Sequence, residues 1–184
     1  MQMHDWIFIF LSAAWIGEFL LFRSRKGDKS EEDTGSFPWI MAAVLAVVIV
    51  SVLSREMALF TMPLAGILYS GLAVYAAGIA LRYAGSAALG RQFTRDVNVS
   101  SSDTIVSSGP FRLLRHPLYT GLLLITFGFA LYMTSLLGLA AAVFGVLPAL
   151  LRRIELEERM LTQAFGEDYQ TWMKKRYRLI PFLY

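Results

Sequence analysis

Apolar residues run through this chain in long blocks separated by short charged stretches. The first block covers residues 6–22, the second 37–53 and the third 57–81, with Pro63 near the start of the third. Two more, 119–133 and 136–151, are separated only by Thr134 and Ser135. At about 1.5 Å of rise per residue, the first three approach or exceed the ~30 Å hydrocarbon zone of a bilayer. The last two are short for a span and predict a tight hairpin of tilted helices. Small residues in the third block (Gly66, Ser70, Gly71, Ala77, Gly78) permit close helix contact. Glu18 stands inside the first block, which is costly in hydrocarbon unless it is paired or faces a polar cavity. The pattern predicts an all-α integral membrane protein of about five transmembrane helices. Residues 152–184 follow as an amphipathic, charged cytoplasmic segment.

Charge placement sets an orientation. Of the 17 Lys and Arg residues, only Arg55 falls on the side of the N-terminus if five spans alternate. The others lie in 23–36, 82–118 and 152–184, which such a chain puts on one face. By the positive-inside rule the N-terminus is outside and the C-terminus cytoplasmic. The first block is too long for a signal-peptide core, and no small-residue cleavage site follows it. Short loops without a targeting presequence suit a prokaryotic inner membrane. With 56% apolar residues and a mean hydropathy of +0.52, the composition agrees with a membrane chain. The absence of cysteine excludes thiolate catalysis and disulfides. Two histidines, with no His-x-x-x-His pair, predict no metal site. There is no P-loop and no Gly-x-Gly-x-x-Gly after a strand, and no nucleic-acid partner is expected.

Two polar clusters remain as candidate chemistry. In Gly109-Pro110-Phe111-Arg112-Leu113-Leu114-Arg115-His116-Pro117, Pro117 suits the first turn of a helix, where its missing N–H costs nothing. His116 then stands at the N-cap with Arg112 and Arg115 just before it, an end that favours an anionic group. Continuing the fifth block as a helix puts Ile154, Leu161 and Phe165 on one stripe, flanked by Glu157 and Glu158. Those acids either pair with nearby arginines or serve a site. Residues 165–169 interrupt or restart the helix. Lys174, Lys175 and Arg176 read as a solvated run facing lipid headgroups, whereas Arg178, between an aromatic and an apolar tail, can fold back toward the boundary.

In order, Gly109-Pro110-Phe111-Arg112-x-x-Arg115-His116-Pro117-x-Tyr119-x-Gly121, a hydrophobic hairpin, Glu157-Glu158-x-x-Leu161, Phe165-Gly166-x-x-Tyr169 and Arg178-x-x-Pro181 resemble the isoprenylcysteine carboxyl methyltransferase family. The related phospholipid N-methyltransferases share much of this pattern. Residues 89–94 resemble the segment these proteins carry before the motif, with Phe93 where tryptophan is more usual. The resemblance covers residues 89–181. It implies one membrane-embedded domain over 1–184, with three N-terminal spans in 1–81 and the motif-bearing half in 82–184. It further implies an S-adenosylmethionine-dependent methyltransferase acting on a lipophilic or prenylated acceptor at the membrane–cytosol boundary. Carried over, His116, Pro117, Tyr119, Glu158 and Tyr169 would hold the cofactor. Arg115, Glu157 and Arg178 would orient the reacting groups.

Prenylcysteine-type carboxyl methylation and lipid amine methylation are both open on the residues alone. A carboxylate acceptor needs only a cation to place it, whereas an amine must lose a proton. A non-catalytic membrane binder or carrier is the second class, and Glu18 is the feature that would suit a transport path.

Overall fold

The computed structural model describes residues 2–22, 36–62, 65–94 and 103–181. Most of the loop 23–36, Pro63 and the stretch 95–102 lie outside them. The described residues form six α-helices: α1 (Met3–Leu21), α2 (Ser36–Glu56), α3 (Ala65–Leu89), α4 (Pro117–Tyr132), α5 (Leu136–Ala141) and α6 (Leu147–Met173). A π-helical segment, Ala142–Val146, joins α5 to α6, so the helix runs without a break from Leu136 to the kink at Gly166. Four stretches among the described residues are long and apolar enough to cross a membrane: Met3–Leu21, Ser36–Glu56, Ala65–Gln92 and Leu136–Met173. Pro117–Tyr132 is a shorter apolar helix.

Contacts between distant residues fix which helix ends lie together. Asp5 at the start of α1 accepts a hydrogen bond from Tyr132 Oη at the end of α4, 2.9 Å away. Arg55 at the end of α2 lies over the same Tyr132 ring. The residues after α2 pair with the α4–α5 turn through Met62 N–H to Thr134 O (2.8 Å) and Leu136 N–H to Phe60 O (3.1 Å). At the other end, Glu18 of α1 meets Arg82 of α3, and Ser36 of α2 meets Arg153 of α6. The four long stretches and the shorter α4 therefore alternate in direction, and α1 begins at the end away from the Arg-His-Pro turn.

One sequence expectation shifts. The third helix is not 57–81: residues 57–62 are a turn, and α3 runs on to Leu89. The reason is packing. Gly85 comes against Leu118 and Pro117, and Ser86 reaches Glu18, so both are needed in helical register. The second arm is apolar over 136–151 and its helix continues past Leu151, both as the sequence predicts. The residues after Arg152-Arg153 are largely polar. Gly166, with φ of 57° and ψ of −130°, kinks this outer part where an interruption was expected.

The antiparallel pair α3–α4 is the tightest contact, and glycines make it so. Gly71, Gly78 and Gly85 on α3 recur every seven residues, as do Gly121 and Gly128 on α4. A Cβ at Gly78 would come within 2.7 Å of Gly121 O, and one at Gly128 within 2.4 Å of Tyr75 N. Backbones that approach this closely admit no side chain between them. Gly128→Leu should therefore push α4 off α3. The expected cost is at least about 1–3 kcal/mol, read as a lower thermal transition and loss of a monodisperse peak in detergent.

Candidate active site

Pro117 occupies the first helical position of α4 and His116 its N-cap, as the sequence predicts. The preceding turn is held by the C-terminal tail. Arg115 N–H donates to Tyr177 O at 2.8 Å, and Tyr177 N–H donates to Leu113 O at 3.0 Å. Thr120 Oγ1 donates to Leu179 O at 2.7 Å. These bonds fold residues 177–179 back against the start of α4, which carries Arg178 to the site.

Glu158 is the meeting point. Its Oε1 faces His116 Nε2 at 3.1 Å and Arg115 Nη1 at 3.3 Å, and its Oε2 faces Arg178 Nη2 at 2.9 Å. Burial pushes the Glu158 carboxyl up, but His116, Arg178 and Arg115 outweigh it and hold it down at about 2. His116 Nε2 thus faces the ionised Glu158, and Nδ1 lies 4.0 Å from Glu157 Oε2. Arg115 is fixed further by Nε donating to Met173 O (3.1 Å) and Arg176 O (3.0 Å).

Glu157 belongs to a second chain of contacts. Tyr119 Oη donates to Glu157 Oε2 at 2.6 Å and accepts from Arg153 Nε at 2.8 Å. Arg153 Nη1 in turn donates to Ser36 Oγ. The buried Arg153 therefore ties α2 to the site through the Tyr119 hydroxyl. The His116 and Tyr119 rings stack at 5.7 Å, and Tyr169 stacks on Trp172 at 5.5 Å. Burial, with Glu157 and Glu158 nearby, pushes the Tyr169 phenol up, so it stays a neutral hydroxyl.

The expected residues divide between two sides of the His116 ring. Arg115, His116, Pro117, Tyr119, Glu157 and Tyr169 line one cavity. That cavity continues past α4 to an apolar wall made by Trp15 and Phe19 of α1 with Phe37, Ile40 and Met41 of α2. Glu158 and Arg178 line a shallow depression behind it, with Arg115, Arg176 and Tyr177. Arg112 is exposed.

Arg176 is a correction. Lys174 and Lys175 are exposed as expected, but Arg176 donates through Nε to Phe111 O (2.7 Å) and lies over the Trp172 ring at 4.4 Å. It fastens the end of α6 to the turn before α4 and is not part of a solvated run.

Sequence reasoning did not assign Arg153 or Arg82 to the site. Arg153 had a local signal, since it stands one turn before Glu157. Arg82 had none, because its partner Glu18 is 64 residues away.

S-adenosylmethionine, which the resemblance implies, can be tested against these groups. It carries a sulfonium and an ammonium beside a carboxylate, with hydroxyls and a flat base. The Glu157 carboxylate among the rings of His116, Tyr119 and Tyr169 suits its cationic part, and the aromatic faces suit its base. The residues present fit.

Residues 67–168 match the family model described as phospholipid methyltransferase. A probable protein-S-isoprenylcysteine O-methyltransferase of Oryza sativa subsp. indica is 29% identical over 117 residues, 62% of this chain and 61% of the relative. Protein-S-isoprenylcysteine O-methyltransferase A of Arabidopsis thaliana is 30% identical over 115 residues, 61% of this chain and 58% of the relative. The matches thus span about three fifths of these relatives' length. Among solved structures, the eukaryotic intramembrane Ras methyltransferase (isoprenylcysteine carboxyl methyltransferase) superposes with a TM-score of 0.67 at 21% identity. That match covers 95% of this chain and 63% of the other, and the two share a fold.

Proposed function

This chain belongs to the phospholipid methyltransferase family, and we propose that it methylates the carboxylate of a lipophilic, prenylcysteine-like acceptor where the membrane meets the cytosol. The observation that carries this reading is the single cavity with a polar, aromatic corner at one end and an apolar wall between α1 and α2 at the other. Bound there, S-adenosylmethionine would supply an electrophilic methyl group on a sulfonium.

Direct displacement at that methyl needs alignment and exclusion of water rather than a covalent nucleophile. Tyr119 and Arg153 fix the direction of the Glu157 carboxylate, which would hold the cationic part of the donor. His116 and Tyr169 would hold it by their aromatic faces. Glu158, gripped by Arg115 and Arg178, holds the His116 ring in place from behind. A carboxylate acceptor is already ionised and requires only a cation near its approach, and Arg82, Arg115 and Arg153 all lie in the cavity wall. The names of the plant relatives support the same acceptor class.

Amine methylation is the second reading. The observation in its favour is Glu157, a carboxylate facing the cavity that can take a proton from an amine. The carrier reading loses its motive, because Glu18 is closed onto Arg82. The N-terminal end outside, the C-terminal end cytosolic and a prokaryotic inner membrane complete the proposal, supported by the gathering of basic residues at the site end and Arg55 at the other.

Two measurements test it. Detergent-solubilised protein should give binding heat with S-adenosylhomocysteine, and should move a radiolabelled methyl group from S-adenosylmethionine to a prenylcysteine analogue. Label on aminophospholipids alone would transfer the assignment to the amine reading. No binding heat and no label on either acceptor would remove the enzyme reading.

A further inference from the structure

The end of the chain and the turn before α4 together build a basic site outside the main cavity. Leu114 and Tyr177 form an isolated parallel bridge, with Tyr177 N–H donating to Leu113 O and Arg115 N–H to Tyr177 O. This pairing gathers Arg115, Arg176 and Arg178 around the shallow depression behind His116. Three guanidiniums line it with one carboxylate, Glu158. The surplus positive charge is permanent, because a guanidinium keeps its proton.

Donors remain there to hold an anion. Arg115 is engaged through Nε and Nη1, and so is Arg176, which bonds Phe111 O and Trp172 O. The Nη2 of each has no partner among the described residues, and neither is occluded. Guanidinium edges of this kind match phosphate oxygens in both geometry and charge.

The position of the depression says which phosphate. Glu158 is five residues beyond Arg153, where the apolar part of the helix ends, and so stands about 7.5 Å past that boundary. The headgroup layer covers roughly the first 5–7 Å outside the hydrocarbon. The depression is therefore at headgroup depth, where basic pockets between membrane helices take lipid phosphates. Its borders are apolar. Leu114 and Leu179 are 5% and 1% exposed, whereas Leu113 and Ile180, each two residues from a lining arginine, are 43% and 42% exposed. Exposed apolar side chains beside clustered guanidiniums suit a ligand with an anionic head and hydrocarbon beyond it. A free phosphate would leave both of them in water.

We infer that the depression binds the phosphate of an anionic phospholipid between Arg115, Arg176 and Arg178, with the lipid's chains against Leu113 and Ile180. The bound lipid bridges the C-terminal tail to the turn before α4 and so braces Glu158 behind His116. It is a resident partner and not an acceptor, because Glu157 and Tyr119 line the cavity and not the depression. The inference therefore stands whichever acceptor the cavity takes.

The test follows the thermal transition of delipidated protein in neutral detergent during titration with phosphatidylglycerol, phosphatidylcholine or inorganic phosphate. Phosphatidylglycerol carries neither amine nor carboxylate, so methylation does not enter the reading. It should raise the transition to a plateau, and the other two should not at the same concentrations. Loss of one charge-assisted hydrogen bond costs about 10- to 100-fold in affinity. Arg176→Gln should move the titration midpoint by that factor, and Arg176→Lys should recover part of it. Ile180→Ser alters an exposed side chain and no guanidinium, and should move the midpoint about 3- to 10-fold. Lys174→Ala with Lys175→Ala removes exposed charge nearby and should leave it within about twofold. Each midpoint is read against the same protein without lipid, so a lower starting stability cancels. No response to phosphatidylglycerol, or an equal response to phosphatidylcholine, would overturn the inference. So would a midpoint that Arg176→Gln and Ile180→Ser leave unchanged, or one that the double lysine variant moves as far as Arg176→Gln does. Saturation by inorganic phosphate at the lipid's own concentration would overturn the lipid as the source of the phosphate.

Discussion

Arg178→Ala should remove methyl transfer while the bundle stays folded. Arg178 touches Glu158 through a 2.9 Å contact, on a tail that the buried neighbour Leu179 anchors independently of that contact. Without that guanidinium, Glu158 keeps its burial and loses one of the two guanidiniums that hold it ionised. His116 Nε2 then faces a carboxyl of uncertain charge, and the ring that walls the donor is no longer oriented. Loss of one preorganised electrostatic contact in an active site costs about 10²–10³ in turnover. The thermal transition should fall only slightly, and Lys174→Ala, at an exposed position on the same segment, should leave the rate within about twofold of wild type, as surface substitutions do. Methyl transfer unchanged in Arg178→Ala would refute the role assigned to it.

The same cluster gives an acid dependence with a definite sign. The native Glu158 carboxyl is held below its ordinary value of 4.5. Its ionised form therefore contributes stability in full above about pH 4.5, and that contribution is lost as pH falls toward 2. In Arg178→Ala the window moves upward, because burial is then opposed by fewer cations.

Much of this was legible in the sequence because the signals are local. Uninterrupted apolar runs mark all five apolar helices, with the third displaced toward the C-terminus. Pro117 after His116 marks a helix start by the geometry of its ring, and Gly166 marks the kink because it adopts a positive φ. Glu157 and Glu158 face different partners because 100° of helix separates them. What was not legible depends on contacts between distant segments. Residues 57–62 are as apolar as a helix, but they turn because they pair with residues 134–136. Residues 82–89 lie beyond the third apolar block, yet they stay helical because α4 packs on Gly85. Arg176 sits in a basic run and is nonetheless clamped by Phe111 O, a partner no spacing rule supplies. Composition marks Glu18 as anomalous without saying what satisfies it.

That anomaly supports the second large effect. Arg82→Met should destabilise the protein by about 3–5 kcal/mol, the cost of leaving one member of a buried ion pair uncompensated. Glu18 is 1% exposed. Both its oxygens are taken by Arg82, Nε at 2.6 Å and Nη2 at 2.8 Å, with Ser86 Oγ adding a contact at 3.3 Å. Arg82 also donates to Leu118 O, so the pair joins α1, α3 and the first turn of α4. With Met at position 82, the carboxylate remains in an apolar wall and must either take up a proton or drag α1 away from α3. Glu18→Leu combined with Arg82→Met replaces the pair by apolar groups and should recover most of the lost stability, since a buried pair contributes little net once both charges are gone. The double variant still lacks the bond to Leu118 O, so the first turn of α4, which carries His116 and Tyr119, should remain less well held. Thermal unfolding in detergent reads the first effect and methyl transfer the second. Stability should return in the double variant further than activity does, and an Arg82→Met protein as stable as wild type would show that the pair does not hold the bundle together.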